Sequence, residues 1–271
     1  NRRSRTTSVT DKNGNGYATI QIGTQSRMAK KMRGFKYADG STISSYIPNG
    51  AGTINTDYGR LYTYAAVMNG SSTSTGSVQG ICPSGWHVPS SDEFQTLKSF
   101  LSSQSTYQCN SNANNISKAI ASRNDWAESS NECSPGNEMS SNNASGFDAF
   151  PAGCYSNSTY HYYGERSGFA TSDAGYIYFI SYQYPLLYNY TLSDPADAYS
   201  VRCIKGATPP SVKTNNNVTN IGKNNATVGG VLMSDGTNST FDASSVTEFG
   251  ICYSKNNNNP SISDNKKTKT P

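Results

Sequence analysis

The chain has 271 residues, of which 15% are charged and 34% hydrophobic, with a net charge of +4, and this length suggests one or two domains. The weak, thinly spread charge argues against a nucleic-acid binder, and no apolar run approaches the roughly 20 residues of a membrane span. With 41 Ser, 29 Asn, 24 Gly and 19 Tyr, the composition also argues against a coiled coil or a long helical bundle and matches the residues that adaptable recognition loops use.

The opening NRRSRTTSVT has no apolar stretch behind it and does not read as a secretory signal. Tyr17 to Gly23 alternates like a strand. Tyr58 to Met68 carries helix formers and no breaker after Gly59, which predicts a short helix. Ser90 with Glu93 forms a capping box that opens a helix over Asp92–Phe100, with Phe94, Leu97 and Leu101 at helical spacing. Asn115–Ser122 suggests a third short helix. From Phe147 to Lys205 the segments FPAGCY, YIYFISY, LLYNYTL and YSVRCIK read as strands joined by polar loops. Early helices followed by a β-rich half give an α+β order.

The pattern breaks at 207–214, where Pro209 and Pro210 make a stiff linker. Beyond it, short apolar runs at Val218, Ile221, Ala226, Val228, Val231, Val246, Phe249, Ile251 and Tyr253 read as sandwich strands. A full sandwich needs about seven strands in about 100 residues, so 207–271 is expected to hold an incomplete one.

Six cysteines, none in a CxxC, accompany only His87 and His161. That is poor material for zinc and suits an oxidising compartment. Of the 15 complete pairings, Cys82 with Cys203 and Cys109 with Cys133 are preferred, leaving Cys154 and Cys252 reduced. Asp92 and Glu93 stand at a helix start, where acids offset the macrodipole. No GxSxG, HExxH, P-loop or dinucleotide fingerprint occurs, so neither an enzyme, a cofactor nor a metal is expected. Eight Asn-x-Ser/Thr sequons are close to what this much Asn and Ser supplies by chance.

The blocks VTDKNGNGYATIQIG, YADGSTI, YGRLYTYAAVM, GICPSGWHVPSSDEFQTL, ASGFDAFPAG and YSVRCIKG run in order over about 9–206. In them the chain resembles the Fibrobacter succinogenes major paralogous domain of Bacteroidetes-type surface proteins. It departs from that family at Arg27-Met28-Ala29-Lys30-Lys31-Met32, where a Trp-Met-Ala-Glu-Asn-Leu-like stretch is usual, and at Ala170-Thr171-Ser172. The resemblance implies a C-type-lectin-like domain over 1–206, with His87 in a packing block. The remaining 207–271 is similar to immunoglobulin-like or fibronectin-like surface repeats. Asn124-Asp125-Trp126 only partly matches the calcium triplets of sugar-binding lectins, so no calcium site is expected.

Residues 155–199 hold 11 of the 19 tyrosines. Strand alternation puts Tyr176, Tyr178, Ile180, Tyr182 and Tyr184 on one side. With Tyr160, Tyr162, Tyr163, Tyr188 and Tyr190, these tyrosines are the expected ligand-binding set, partly core and partly an exposed strip. The expected function is a non-enzymatic adhesin or receptor-binding module on a cell or virion surface, whose partner is a glycan or a protein. The alternatives are a decoration subunit of a surface fibre or phage particle, assembling with its own kind, and a polysaccharide-binding accessory domain of a secreted enzyme.

Overall fold

The structure is a computed structural model describing residues 8–71, 77–173, 175–191 and 194–206, and the strand residues 211–214, 230–234, 249–253 and 265–269. The chain divides into two compact units, Asn1–Gly206 and Ala207–Pro271.

In the first unit β1 (Ser8–Thr10), β2 (Gly16–Ile22) and β3 (Gln25–Met28) lead to β4 (Tyr62–Thr63), α1 (Tyr64–Met68), β5 (Trp86–His87), α2 (Ser91–Ser103) and α3 (Ser117–Ile120). There follow β6 (Cys154–Ser156), β7 (Thr159–His161), β8 (Arg166–Ala170), β9 (Tyr176–Ser181), β10 (Tyr188–Thr191), β11 (Ala198–Tyr199) and β12 (Ile204–Lys205). They form three antiparallel sheets in the orders β1-β2-β3-β12-β5, β4-β11-β6-β7 and β10-β9-β8. The second unit shows β13 (Ser211–Thr214) paired with β14 (Gly230–Ser234), and β15 (Phe249–Tyr253) with β16 (Asn265–Lys269).

This corrects the expected α+β, C-type-lectin-like domain with an immunoglobulin-like sandwich. Among the described residues strand outweighs helix, and the regular structure is mainly curled antiparallel sheet. The helix expected over 58–68 is helical only in its last five residues, Tyr64–Met68. Gly59 sits at φ +67°, and a Cβ there would lie 2.6 Å from the Met32 carbonyl oxygen. The chain then runs extended, with Leu61 and Tyr46 exchanging backbone hydrogen bonds of 2.9 Å and Tyr62 pairing with Tyr199. The third helix is a single turn, because Ala121 is already extended at ψ 147°. In place of a sandwich, the described strands of the second unit make two separate two-stranded sheets. The runs around Val218, Ile221, Ala226, Val228 and Val246 lie outside the described residues.

The best-formed helix is α2. Ser90 Oγ accepts from the Glu93 N–H at 3.2 Å, and Glu93 Oε2 accepts from the Ser90 N–H at 2.9 Å. Its buried face, Phe94, Leu97 and Leu101, enters a core with Ile120, Trp126, Phe147, Phe169, Tyr178 and Ile180. Burying each such side chain contributes about 2 kcal/mol. A second cluster gathers Tyr17, Met28, Val67 and Trp86 around the Cys82–Cys203 bridge, whose Cα atoms are 5.9 Å apart. Cys109 and Cys133 are also bonded, and Cys154 is a buried free thiol. Of Cys252 only the backbone, in β15, is described.

The RMAKKM departure carries cations into the interior. Arg27 and Lys31 are fully buried, as is Arg202. Arg27 lies over the Phe94 ring at 5.2 Å and donates to the Glu93 carbonyl at 2.8 Å. Lys31 Nζ donates to the Phe150 carbonyl at 2.5 Å. Burial, reinforced by the Arg202 charge, holds the Lys31 amine well below the usual lysine range.

Candidate functional site

Strands β6 and β7 turn over Asn157 and Ser158, both left-handed at φ 48° and 61°. Two positive φ values mark the primed turn whose twist suits a hairpin. The register sets Cys154 opposite His161 and Tyr155 opposite Tyr160. Alternation then divides the hairpin into two faces. Tyr155 packs edge-on to Tyr160 and stacks on Tyr46 at 3.9 Å. Cys154, Ser156 and His161 line a groove on the other face.

The opposite wall comes from the β8–β9–β10 sheet. Arg166 and Gly168 of β8 and Ile177 and Phe179 of β9 face the groove. The register pairs Phe179 with Tyr188 and Ile177 with Tyr190, which extends the same face to the edge strand. Phe179 stacks on Tyr188 at 5.2 Å, and Tyr184 meets Tyr188 edge-on at 6.0 Å. Parallel bridges Gly153–Ser167 and Phe169–Ser200 hold the two walls together. The groove between them has a volume of about 390 Å³, within the range of small-molecule sites.

Its electrostatics are uneven. The Arg166 guanidinium lies 3.8 Å over the Tyr162 ring and 5.6 Å from Phe179. Tyr162 holds a left-handed backbone, φ 58°, an unusual state for a bulky residue. That conformation and Gly164 at φ 80° turn the chain tightly between β7 and β8. Asp197, only 6% exposed, lines the groove beside Tyr199. Burial pushes the Cys154 thiol up, an effect that the neighbouring Tyr199 hydroxyl partly offsets. His161 Nε2 turns to the Ser156 carbonyl at 3.1 Å. Thiol, imidazole and carboxylate therefore share the groove without being joined as nucleophile and base.

The expected tyrosines divide by strand parity. Tyr162, at 43% exposure, and Tyr190, at 56%, line the groove. Tyr188 and Tyr184 continue its aromatic face. Tyr160 belongs to the other face of the hairpin, and Tyr163 stacks on Tyr58 at 5.0 Å. Tyr176 is exposed at the start of β9. Tyr178 is only 4% exposed: its ring stacks on Phe94 at 4.7 Å and its hydroxyl donates to the Ser91 carbonyl at 3.2 Å. Tyr182 is half-buried against the same core. The side carrying Tyr178 and Ile180 faces inward because α2 covers it.

The expected set of tyrosines left out Arg166, Phe179, Asp197 and Tyr199, all of which line the groove. One signal was available, since Arg166 is the sole Lys or Arg between 155 and 199.

Two other residues considered for chemistry, His87 and Trp126, have hydrogen-bonding partners within the fold. His87 Nε2 meets Glu93 Oε1 at 2.7 Å beneath the capping box. Trp126 is buried and donates to Ser122 Oγ at 3.0 Å. No cluster of three His, Cys, Asp or Glu placed to hold a metal occurs among the described residues. No helix among them is long and apolar enough to cross a membrane.

A family model described as the Fibrobacter succinogenes major domain matches residues 20–205. No curated protein and no solved structure matches the chain.

Proposed function

The chain belongs to the Fibrobacter succinogenes major domain family, and we propose that its first unit is a non-enzymatic extracellular recognition module that takes its ligand in the groove between the β6–β7 hairpin and the β8–β9–β10 sheet. The second unit serves as a spacer. The observation that carries this reading is the set of aromatic rings at the groove: Tyr162, Phe179 and Tyr190 line it, Tyr188 stacks on Phe179, and Tyr162 and Tyr190 are exposed. Rigid rings give contact area at little conformational cost, and exposed apolar area next to polar groups is the usual mark of a binding surface. Two disulfides are consistent with an oxidising, extracellular setting.

The test is to apply the labelled full chain to arrays of printed glycans and of surface proteins. Saturable binding is expected, and Tyr162→Ala with Tyr190→Ala should weaken it at least tenfold. Tyr163→Ala with Tyr176→Ala, which alters exposed rings outside the groove, should leave it within about twofold. Binding that survives the groove pair, or turnover of a bound compound, contradicts the reading.

A further inference from the structure

The groove holds two opposite charges, Asp197 and Arg166, and neither is in an ion pair among the described residues. Asp197 is 6% exposed, and among the described residues no donor hydrogen-bonds its carboxylate and no cation pairs with it. Its oxygens still meet solvent in the groove, where a ligand's hydroxyl can reach them. Arg166 covers the Tyr162 and Phe179 rings, yet its guanidinium N–H groups find no acceptor among the described residues. The two charges are not bonded to one another. Both line the same groove, beside Cys154.

This pair limits what can enter. An anionic ligand meets Asp197, and a cationic one meets Arg166. A zwitterion would answer both charges but leave Ser156, Asn157 and the tyrosine hydroxyls along the rim unused. Nor do the rings form a cage for an ammonium, because Arg166 already covers Tyr162 and approaches Phe179. A polyol fits better, since each hydroxyl both donates and accepts. Tyr190, 56% exposed and unstacked on any described ring, is free to cover an apolar face.

We propose that the groove binds an uncharged sugar residue of a glycan, with Asp197 accepting from its hydroxyls, Arg166 donating to its oxygens and Tyr190 packing on its ring face. This rests on the reading that the groove is the recognition surface, and it adds the ligand class. A site that reads hydroxyls through buried polar groups rejects analogues lacking them.

The experiment is a glycan array printed with neutral, uronate- or sialic-acid-bearing and amino-sugar glycans. Calorimetric titration of the strongest binder follows, with the full chain and with Asp197→Asn, Arg166→Gln and Tyr190→Ala. Neutral glycans should bind, and each variant should weaken that binding at least tenfold with an unchanged circular-dichroism spectrum. The charge class of the glycans bound by the unaltered chain gives a readout that does not depend on the variants folding. Preference for acidic glycans, or a gain in their affinity on Asp197→Asn, overturns the sugar assignment and leaves the groove reading standing. So does binding to printed proteins alone that is lost in Tyr190→Ala. Neutral-glycan binding that survives all three variants overturns both.

Discussion

At Gly168 a Cβ would lie 2.7 Å from Cδ1 of Tyr199. The backbone there is not left-handed, so Gly168→Ala tests crowding alone. The variant should displace the Tyr199 ring, cost about 1–3 kcal/mol by overpacking and weaken ligand binding several-fold; unchanged binding would show that Tyr199 does not shape the groove. Tyr178 and Tyr190, in adjacent strands, face opposite sides of one sheet. Tyr178→Ala removes a ring stacked on Phe94 and should lower unfolding free energy by about 3–5 kcal/mol in urea titration. Tyr190→Ala should shift it by no more than about 0.5 kcal/mol. Alternation along YIYFISYQY tells which residues share a side, but not which side α2 covers. That depends on a contact between Phe94 and Tyr178, far apart in the chain, and no local pattern carries it.

The helix α2 and its cap were readable because both are local: Ser90, Glu93, Phe94, Leu97 and Leu101 lie within one short segment. Glu93 also holds His87, whose Nδ1 already lacks a partner. Removing the box costs about 1 kcal/mol, and a stranded imidazole adds about 1–3 kcal/mol. Glu93→Ala should therefore lower stability by about 2–4 kcal/mol in urea unfolding, and a loss under about 0.5 kcal/mol would mean the box is ornamental. The start of α1 was not readable, because the Leu61–Tyr46 and Tyr62–Tyr199 pairings that keep the chain extended are long-range. In the groove, Arg166 and Asp197 come from separate strands and loops, and only the fold puts them together.

Over the whole molecule, the family blocks marked the first unit, while the balance of strand over helix came only with the fold. The Cys82–Cys203 bridge spans a sequence separation of 121, and a closure of that size is worth about 4–5 kcal/mol in the chain-entropy account. The buried Lys31 sets a pH dependence. Its folded pKa is depressed, so between that value and the ordinary lysine range the unfolded chain binds more protons, and stability rises with pH. Urea unfolding should show stability rising as the pH climbs towards the ordinary lysine range, and Lys31→Met should flatten that rise. A variant that keeps the full rise would place its origin elsewhere.

The most direct measurement compares the ligand affinity of the groove pair, Tyr162→Ala with Tyr190→Ala, with that of the outlying pair, Tyr163→Ala with Tyr176→Ala, in proteins of matched melting temperature. The groove account predicts at least a tenfold loss for the first pair and near-native affinity for the second. Equal affinity in both, or a loss confined to the second, contradicts it.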